Sequence, residues 1–352
     1  MDFRETFATW RCGANFIPST AVNQLEMWQE ESFDPATIRR ELSWGAALGM
    51  RVMRVYLHDL CYRQDAPGFL RRIETYLAIA DGFDIRTVFV FFDDCWRDEF
   101  QLGPQPAPRP RTHNSGWVQS PGRKAADDPA EWGRLEAYVM GVMRHSAHDR
   151  RVLAWDLYNE PGNGVSGDHE TSSGCRGKES LPLLNAVFAW AKAVHAEQPY
   201  TAGLWSLAPE YDELNQAALA QSQVVSFHSY APPAGLGERV DFLRYLADGR
   251  PLMCTEYMAR RRGSTFATCL PLLKAKNVTA IHWGLVAGKT NTIYPWGWKA
   301  EDGEPDQWFH DVFHKDGRML YEEERAVFEE VCQQTPNRKG MVKYEETSVH
   351  AH

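Results

Sequence analysis

The stretch RVLAWDLYNEPGN, residues 151–163, reads as a buried strand that ends on a carboxylate. Val152, Leu153, Ala154, Trp155 and Leu157 suit a strand covered by other structure, and the chain then meets Asn159, Glu160 and Pro161. Proline has no backbone N–H and ends ladder pairing, so the acid falls at the strand's carboxyl end. Strand side chains alternate between faces. On that basis Ala154, Asp156, Tyr158 and Glu160 share one side, and Leu153, Trp155 and Leu157 the other. Helices would cover the second set, which aims Glu160 inward.

Working outward, the same rhythm recurs along the chain. Apolar runs lie at 13–18, 51–57, 86–92, 151–158, 200–206, 224–230, 251–257 and 278–284. Amphipathic stretches near 35–49, 67–82, 128–148, 180–197, 210–221, 238–247, 265–276 and 320–332 separate or follow them. Strands alternating with helices, eight of each, read as a single (β/α)8 TIM barrel, an α/β fold that commonly reaches this length as one domain. The catalytic barrel is expected over 1–332, followed by a polar C-terminal tail over 333–352. Two long connections interrupt the economy of short loops: 93–127, rich in proline, after strand 3, and 284–317, rich in aromatics, after strand 8. Both follow strands, which places them on the face where barrels carry their sites.

Parity in the other strands gathers polar side chains at that same mouth. Arg54, Tyr56 and His58 alternate with Met53, Val55 and Leu57. Ser226, His228 and Tyr230 alternate with Val225 and Phe227, and Leu252, Cys254 and Glu256 with Met253 and Thr255. Glu160 and Glu256 therefore converge. Two convergent carboxyls suit glycosidic-bond hydrolysis, which needs a proton donor for the leaving oxygen and a carboxylate that attacks carbon or activates water. Arg54 and Tyr230 favour the ionised form of the attacking group. For either glutamate alone, an ion pair that merely fills the barrel is an even alternative.

Asn159-Glu160-Pro161 at the end of a fourth strand, with a glutamate on the seventh, resembles clan A of the glycoside hydrolases, and within it the cellulase-like family 5. The resemblance takes in Arg54, Asn159, His228, Tyr230 and Trp283. It implies a retaining mechanism with Glu160 as acid/base and Glu256 as nucleophile, no cofactor, no metal, and Asn159 on the sugar 2-hydroxyl. It also implies a cis peptide after Trp283. The family's third-strand histidine is absent here; the chain has Asp93-Asp94 and then Trp96, and the equivalent sugar contact is assigned to Asp94, His113 or Trp117. Trp296, in the aromatic loop after strand 8, is taken as a stacking platform.

The remaining readings set the background. Asn15, Asn23 and Trp28 are pocket candidates, and Asp156 is read as a buried partner of Arg54. Asp93, Asp94 and His58 lack metal-site spacing. A net charge of −9 spread along the chain argues against nucleic acid, and no apolar run approaches a membrane span. Seven cysteines without metal spacing, and no visible signal peptide, read as a cytoplasmic protein. The expected activity is that of a retaining β-glycosidase acting on a carbohydrate substrate, exo-acting or on short oligosaccharides. The alternatives are an endo-acting β-glycanase of cellulase or mannanase type, a non-catalytic carbohydrate-binding barrel, and a barrel lyase or isomerase. Oligomeric state is left open.

Overall fold

The structure is a computed structural model and describes residues 3–164 and 175–332; the expected tail at 333–352 lies outside them. Eight strands run parallel: β1 (Cys12–Asn15), β2 (Val52–Tyr56), β3 (Arg86–Asp93), β4 (Val152–Asn159), β5 (Tyr200–Thr201), β6 (Val225–His228), β7 (Leu252–Glu256) and β8 (Val278–His282). They pair in the order β5-β4-β3-β2-β1-β8-β7-β6. A parallel bridge between Leu204 and Phe227 spans the gap from β5 to β6. There Leu204 N–H donates to Ser226 O at 3.1 Å and His228 N–H to Leu204 O at 2.8 Å, which completes the barrel. β5 is shorter than its apolar run because Gly203 turns its N–H to Tyr158 O while Leu204 pairs with β6. The backbone there is divided between two neighbours instead of laddering along one.

Helices over Pro35–Ala47, Ala66–Asp81, Trp132–His145, Leu181–Val194, Asp212–Gln221, Pro233–Ala247, Phe266–Ala275 and Glu322–Cys332 occupy the expected positions. Asp34 and Asp65 cap the first two by accepting from Thr37 N and Gly68 N, satisfying N–H groups that a helix start leaves free. Short helices over Gln24–Trp28, Asp59–Gln64 and Arg123–Asp127 were not expected, since five or six residues carry too little periodicity. A further short helix, Phe3–Ala8, plugs the barrel base with Phe7, which packs against Val52, Val88, Ala154, Met253 and Ile281.

Simple alternation holds in β2 and β6 and fails in three strands near the mouth; β4 also slips at its base, where Leu153, expected outside, is skipped in the pairing with β3 and joins Ala154 in the interior cluster. In β3, Phe91 and Phe92 both pack on Tyr138 of the outer layer, and Asp93 then turns inward. In β4, Leu157 and Tyr158 both join the outer core, and Asn159 points in. Tyr158 therefore does not share a face with Asp156, as parity had required. The two strands break step together, keeping Phe92 opposite Tyr158 and Asp93 opposite Asn159. In β7, Met253 faces the barrel interior while Leu252 and Cys254 face the helices, the reverse of the expected order. Phe227 sits opposite Cys254, but His228 sits opposite Glu256, so Thr255 is an extra residue on β7. That bulge returns Glu256 to the interior.

Candidate active site

At the carboxyl ends of the strands lies a cleft of about 370 Å³. Glu160 and Glu256 form part of its floor, and Trp283, Trp117 and Tyr56 pack edge-to-face beside them.

Glu160 is the residue just past β4 and has φ of +43°, a conformation that costs a non-glycine residue ~1 kcal/mol or more. The turn is held by Asn163, whose N–H donates to Glu160 O at 3.0 Å and whose Nδ2 donates to Glu160 Oε2 at 2.6 Å. His228 Nδ1 lies 2.5 Å from Oε1, and Cys95 Sγ donates to Oε2 at 3.0 Å. Burial works against ionising Glu160. The His228 imidazole and the bonds from His228, Cys95 and Asn163 outweigh it and hold the pKa below the usual glutamate value.

Glu256 is gripped by both oxygens. Tyr230 OH donates to Oε2 at 2.7 Å, while Tyr56 OH and Arg54 donate to Oε1 at 3.1 and 3.2 Å. Burial raises its pKa and the charge of Glu160 adds to this; His228 and Arg54 oppose it and leave the net shift upward. Both tyrosines stay protonated donors, because burial pushes their phenols well above the ordinary value.

Arg54 organises the layer beneath. Its guanidinium donates to Asp156 and Asn15 at 2.9 Å each, and to Asn159 at 2.6 Å, besides Tyr56 and Glu256. It is fully buried, so it positions groups from below and does not line the cleft. The same holds for His228, whose Nε2 has no partner among the described residues. Asn159 spans the two layers, donating from Nδ2 to Asp93 at 2.8 Å. Asp93 also accepts from Trp117 Nε1 and Cys95 N, yet burial pushes its carboxyl up to about 7.

Asp94 does not reach the cleft, contrary to the expectation. Its carboxylate turns away to accept from Tyr158 OH, Gly162 N and Ser180 Oγ, and it faces Arg176 at 3.5 Å. The neighbouring Asp93 lines the cleft instead. The reason is the break in alternation, which exchanges the two aspartates. Asn159, His113, Trp117, Tyr230, Trp283 and Trp296 do line it; Asn15, Asn23 and Trp28 do not. Sequence reading missed Cys95, Asn114, Asn163, Trp205 and Arg262 as lining residues. Cys95 and Asn163 stand three and five residues beyond predicted strand ends, a usable signal; Asn114 and Arg262 had none.

The two long loops meet over the cleft. Asn114 N–H donates to Thr290 O at 2.8 Å, Asn291 Nδ2 to Arg109 O at 2.9 Å, and His113 Nδ1 bonds Tyr294 O at 2.7 Å. Burial depresses the His113 pKa to about 4, so the ring is neutral and must carry its proton on Nδ1 to serve a carbonyl. Trp96 stacks on His113, and Trp296 meets it edge-on. Among the described residues, two buried polar atoms of lining residues lack partners: Asn114 Oδ1 beside this seam, and Trp205 Nε1 beyond β5.

Among the described residues, Glu160, His228 and Glu256 each offer one ligand atom, all within 4.8 Å of one another. A cation there would have to displace the hydrogens that Arg54, Tyr56 and Tyr230 already direct at Glu256. The donor set fits a hydrogen-bonded carboxylate pair better than a metal.

No protein-family model matches the sequence, and no curated protein does. Solved structures do match. A GH5_18 variant from Streptomyces cattleya, in complex with Manβ1-4GlcNAc, has a TM-score of 0.62 at 14% identity, covering 92% of this chain and 80% of that one. An endo-1,4-β-D-mannanase from Thermotoga petrophila has a TM-score of 0.57 at 13% identity, covering 92% and 99%. The chain has the fold of the family 5 glycoside hydrolases. A β-mannanase from the blue mussel Mytilus edulis has a TM-score of 0.58 at 13% identity, covering 95% and 94%. One feature implied by the family resemblance is absent: among the described residues the cis peptide is Ser120–Pro121, and the bond after Trp283 is trans. Gly284 makes the turn instead, with φ of +78°, where an added Cβ would meet Asp311 Oδ1 at 2.8 Å.

Proposed function

We propose that the protein is a retaining β-glycosidase with Glu256 as nucleophile and Glu160 as acid/base. The observation that carries this reading is the pair's spacing. One oxygen of each carboxylate lies within 4.8 Å of the other. Retaining enzymes hold their carboxyls about 5–5.5 Å apart, whereas inverting ones leave roughly 6.5–9.5 Å for a water. The environments support the division of roles. Glu256 is fixed through both oxygens by Arg54, Tyr56 and Tyr230, as an attacking carboxylate requires. Glu160 sits at a loop start, with Asn163 and Trp205 opening beside it toward the space a leaving group would occupy.

The shifts run in opposite directions, downward for Glu160 and upward for Glu256. The reactive arrangement needs the proton on Glu160 and the charge on Glu256. A glycosidic oxygen that accepts from protonated Glu160 stabilises that form, since hydrogen bonding to the neutral acid disfavours its ionisation. Attack by Glu256 on the anomeric carbon then forms a glycosyl-enzyme as Glu160 protonates the departing oxygen. Water, deprotonated by Glu160, returns the sugar with its configuration retained.

The seam between the loops after β3 and β8 supports action on chain ends or short oligosaccharides. It closes over part of the cleft, and Asn114, whose Oδ1 lacks a partner among the described residues, lines it there. A buried acceptor of that kind suits a terminal sugar hydroxyl. The neighbouring structures make β-mannosides the first glycone to test. The decisive experiment is azide rescue with an activated aryl β-glycoside. Glu160→Ala should release the β-glycosyl azide and Glu256→Ala the α-anomer; opposite anomers would reverse the roles, and no azide product from either would sink the reading. Polymer and matching di- and trisaccharides supplied to the unmodified enzyme should yield single sugars; a rapid fall in viscosity with an oligomer ladder would instead mark an endo-enzyme.

A further inference from the structure

Several of the seven cysteines sit in apolar segments, as buried free thiols do, and Cys61, Cys254 and Cys269 fit that description. Cys12 and Cys332 do not. They stand in the first strand of the barrel and at the end of the helix Glu322–Cys332, yet their sulfurs lie 2.7 Å apart. Both are buried. We propose that Cys12 and Cys332 are a disulfide-forming pair that latches this terminal helix onto β1.

The chemistry balances with a peroxide as oxidant. One thiol attacks hydrogen peroxide, giving a sulfenic acid and one water; the second thiol's sulfur displaces hydroxide from that sulfenic acid, forming the S–S bond and a second water. Two thiols lose two hydrogens, and the peroxide oxygens are reduced to water. Cys332 is the more exposed of the two and ends its helix, so it is the sulfur an oxidant reaches first when that end frays. The mutual hydrogen bond and burial keep Cys12 protonated, which makes the reaction slow in the closed state.

The latch has a structural reach. The helix carries Glu324, which pairs with Arg260 through two bonds of 2.8 Å each. Arg260 in turn donates to Trp308 O at 3.3 Å and His310 O at 3.2 Å. His310 packs on Trp296 and His113, at the seam over the cleft. Closing the disulfide therefore braces the element that holds the cleft wall from behind, without touching a residue of the site.

The full chain is treated with hydrogen peroxide, unfolded, alkylated with iodoacetamide and examined by intact mass and peptide mapping. Against a reduced and alkylated control, the expected result is an intact mass showing two fewer carbamidomethyl groups, the two sulfurs having given up their thiol hydrogens on cross-linking, and one cross-linked peptide pair containing Cys12 and Cys332. The thermal midpoint rises by about 5 °C, reversed by dithiothreitol, because cross-linking distant parts of a chain restricts its unfolded state. Cys332→Ser and Cys12→Ser should each remove the oxidant-dependent rise while activity persists. Alkylation of both cysteines after oxidation, a cross-link to another cysteine, or sulfinic acid on Cys332 without a cross-link would overturn the proposal. Mapping of the unmutated protein decides the matter even where a serine variant folds poorly.

Discussion

Tyr230→Phe removes one oxygen and little else. The ring keeps its edge-on contact with Trp296, centroids 4.8 Å apart, and its packing on His310. What is lost is the 2.7 Å bond to Glu256 Oε2, the shortest that carboxylate receives. A hydrogen bond to a charged group contributes ~1.5–3 kcal/mol. At 1.36 kcal/mol per pKa unit, its loss raises the Glu256 pKa by ~1–2 units. On the proposed roles Glu256 must be ionised to attack, so the acidic limb of kcat/KM moves upward by that amount. At a fixed pH on the limb the rate falls ~10–100-fold, and on the plateau it falls less. The assay is kcat/KM against pH with an aryl β-glycoside bearing a good leaving group, for which Glu160 matters least. The limbs report the carboxyl pair as a unit, so the shift, not its assignment to one residue, is the readout. A uniform fall in rate with an unmoved acidic limb would refute the reasoning, since it would mean that Tyr230 only packs.

Cys95→Ala removes a donor from Glu160 and should move the basic limb upward by a fraction of a unit, whereas Cys95→Ser should keep the parental profile; pH profiles of the two variants check this. Asn114 has φ of +48°, so Asn114→Gly keeps the backbone while deleting the unpartnered Oδ1. It should lower kcat/KM on the preferred substrate by ~5–30-fold, from a lost bond of about 1–2 kcal/mol, with circular dichroism unchanged. The contribution of two buried carboxyls to stability should fall as pH rises from about 4.5 to 7 and level off above it. Burial holds Glu41 and Asp93 near about 7 in the folded protein, above their unfolded values, so the native state binds more protons in that window and unfolding becomes easier as they ionise. Glu41→Gln should flatten the decline in thermal midpoint measured across that range; an undiminished slope would contradict it.

Much of the architecture was legible because it is written locally. The apolar runs and amphipathic stretches place each strand and its helix within a few residues, and Asp34-Pro35 and Asp65 mark helix starts by side-chain caps. Glu160 was legible because the proline after it marks a strand end, and because a second glutamate, Glu256, falls at the end of another inward-reading strand. Glu256 was placed inward for an incomplete reason: parity put it with Leu252 and Cys254, while the bulge at Thr255 is what aims it at the cleft. A bulge depends on how a strand registers with its partner, and one strand's residues do not contain that information. The exchange of Asp93 and Asp94 has the same origin, since β3 and β4 break step only as a pair.

By itself, then, the sequence determined the count and order of barrel elements and the two carboxylates at strand ends. Periodicity and strand-end chemistry act over a handful of residues, and they survive without the rest of the chain. Only the tertiary structure decided what surrounds the pair: Cys95 on Glu160, Asp94 turned away, and the loop seam with Asn114 at its edge. Those features rest on contacts between residues far apart in sequence, such as His113 with Tyr294 at a separation of 181 and Cys95 with Glu160 at 65. Such contacts form only when the closed barrel brings the strand ends, and the loops they carry, to one mouth.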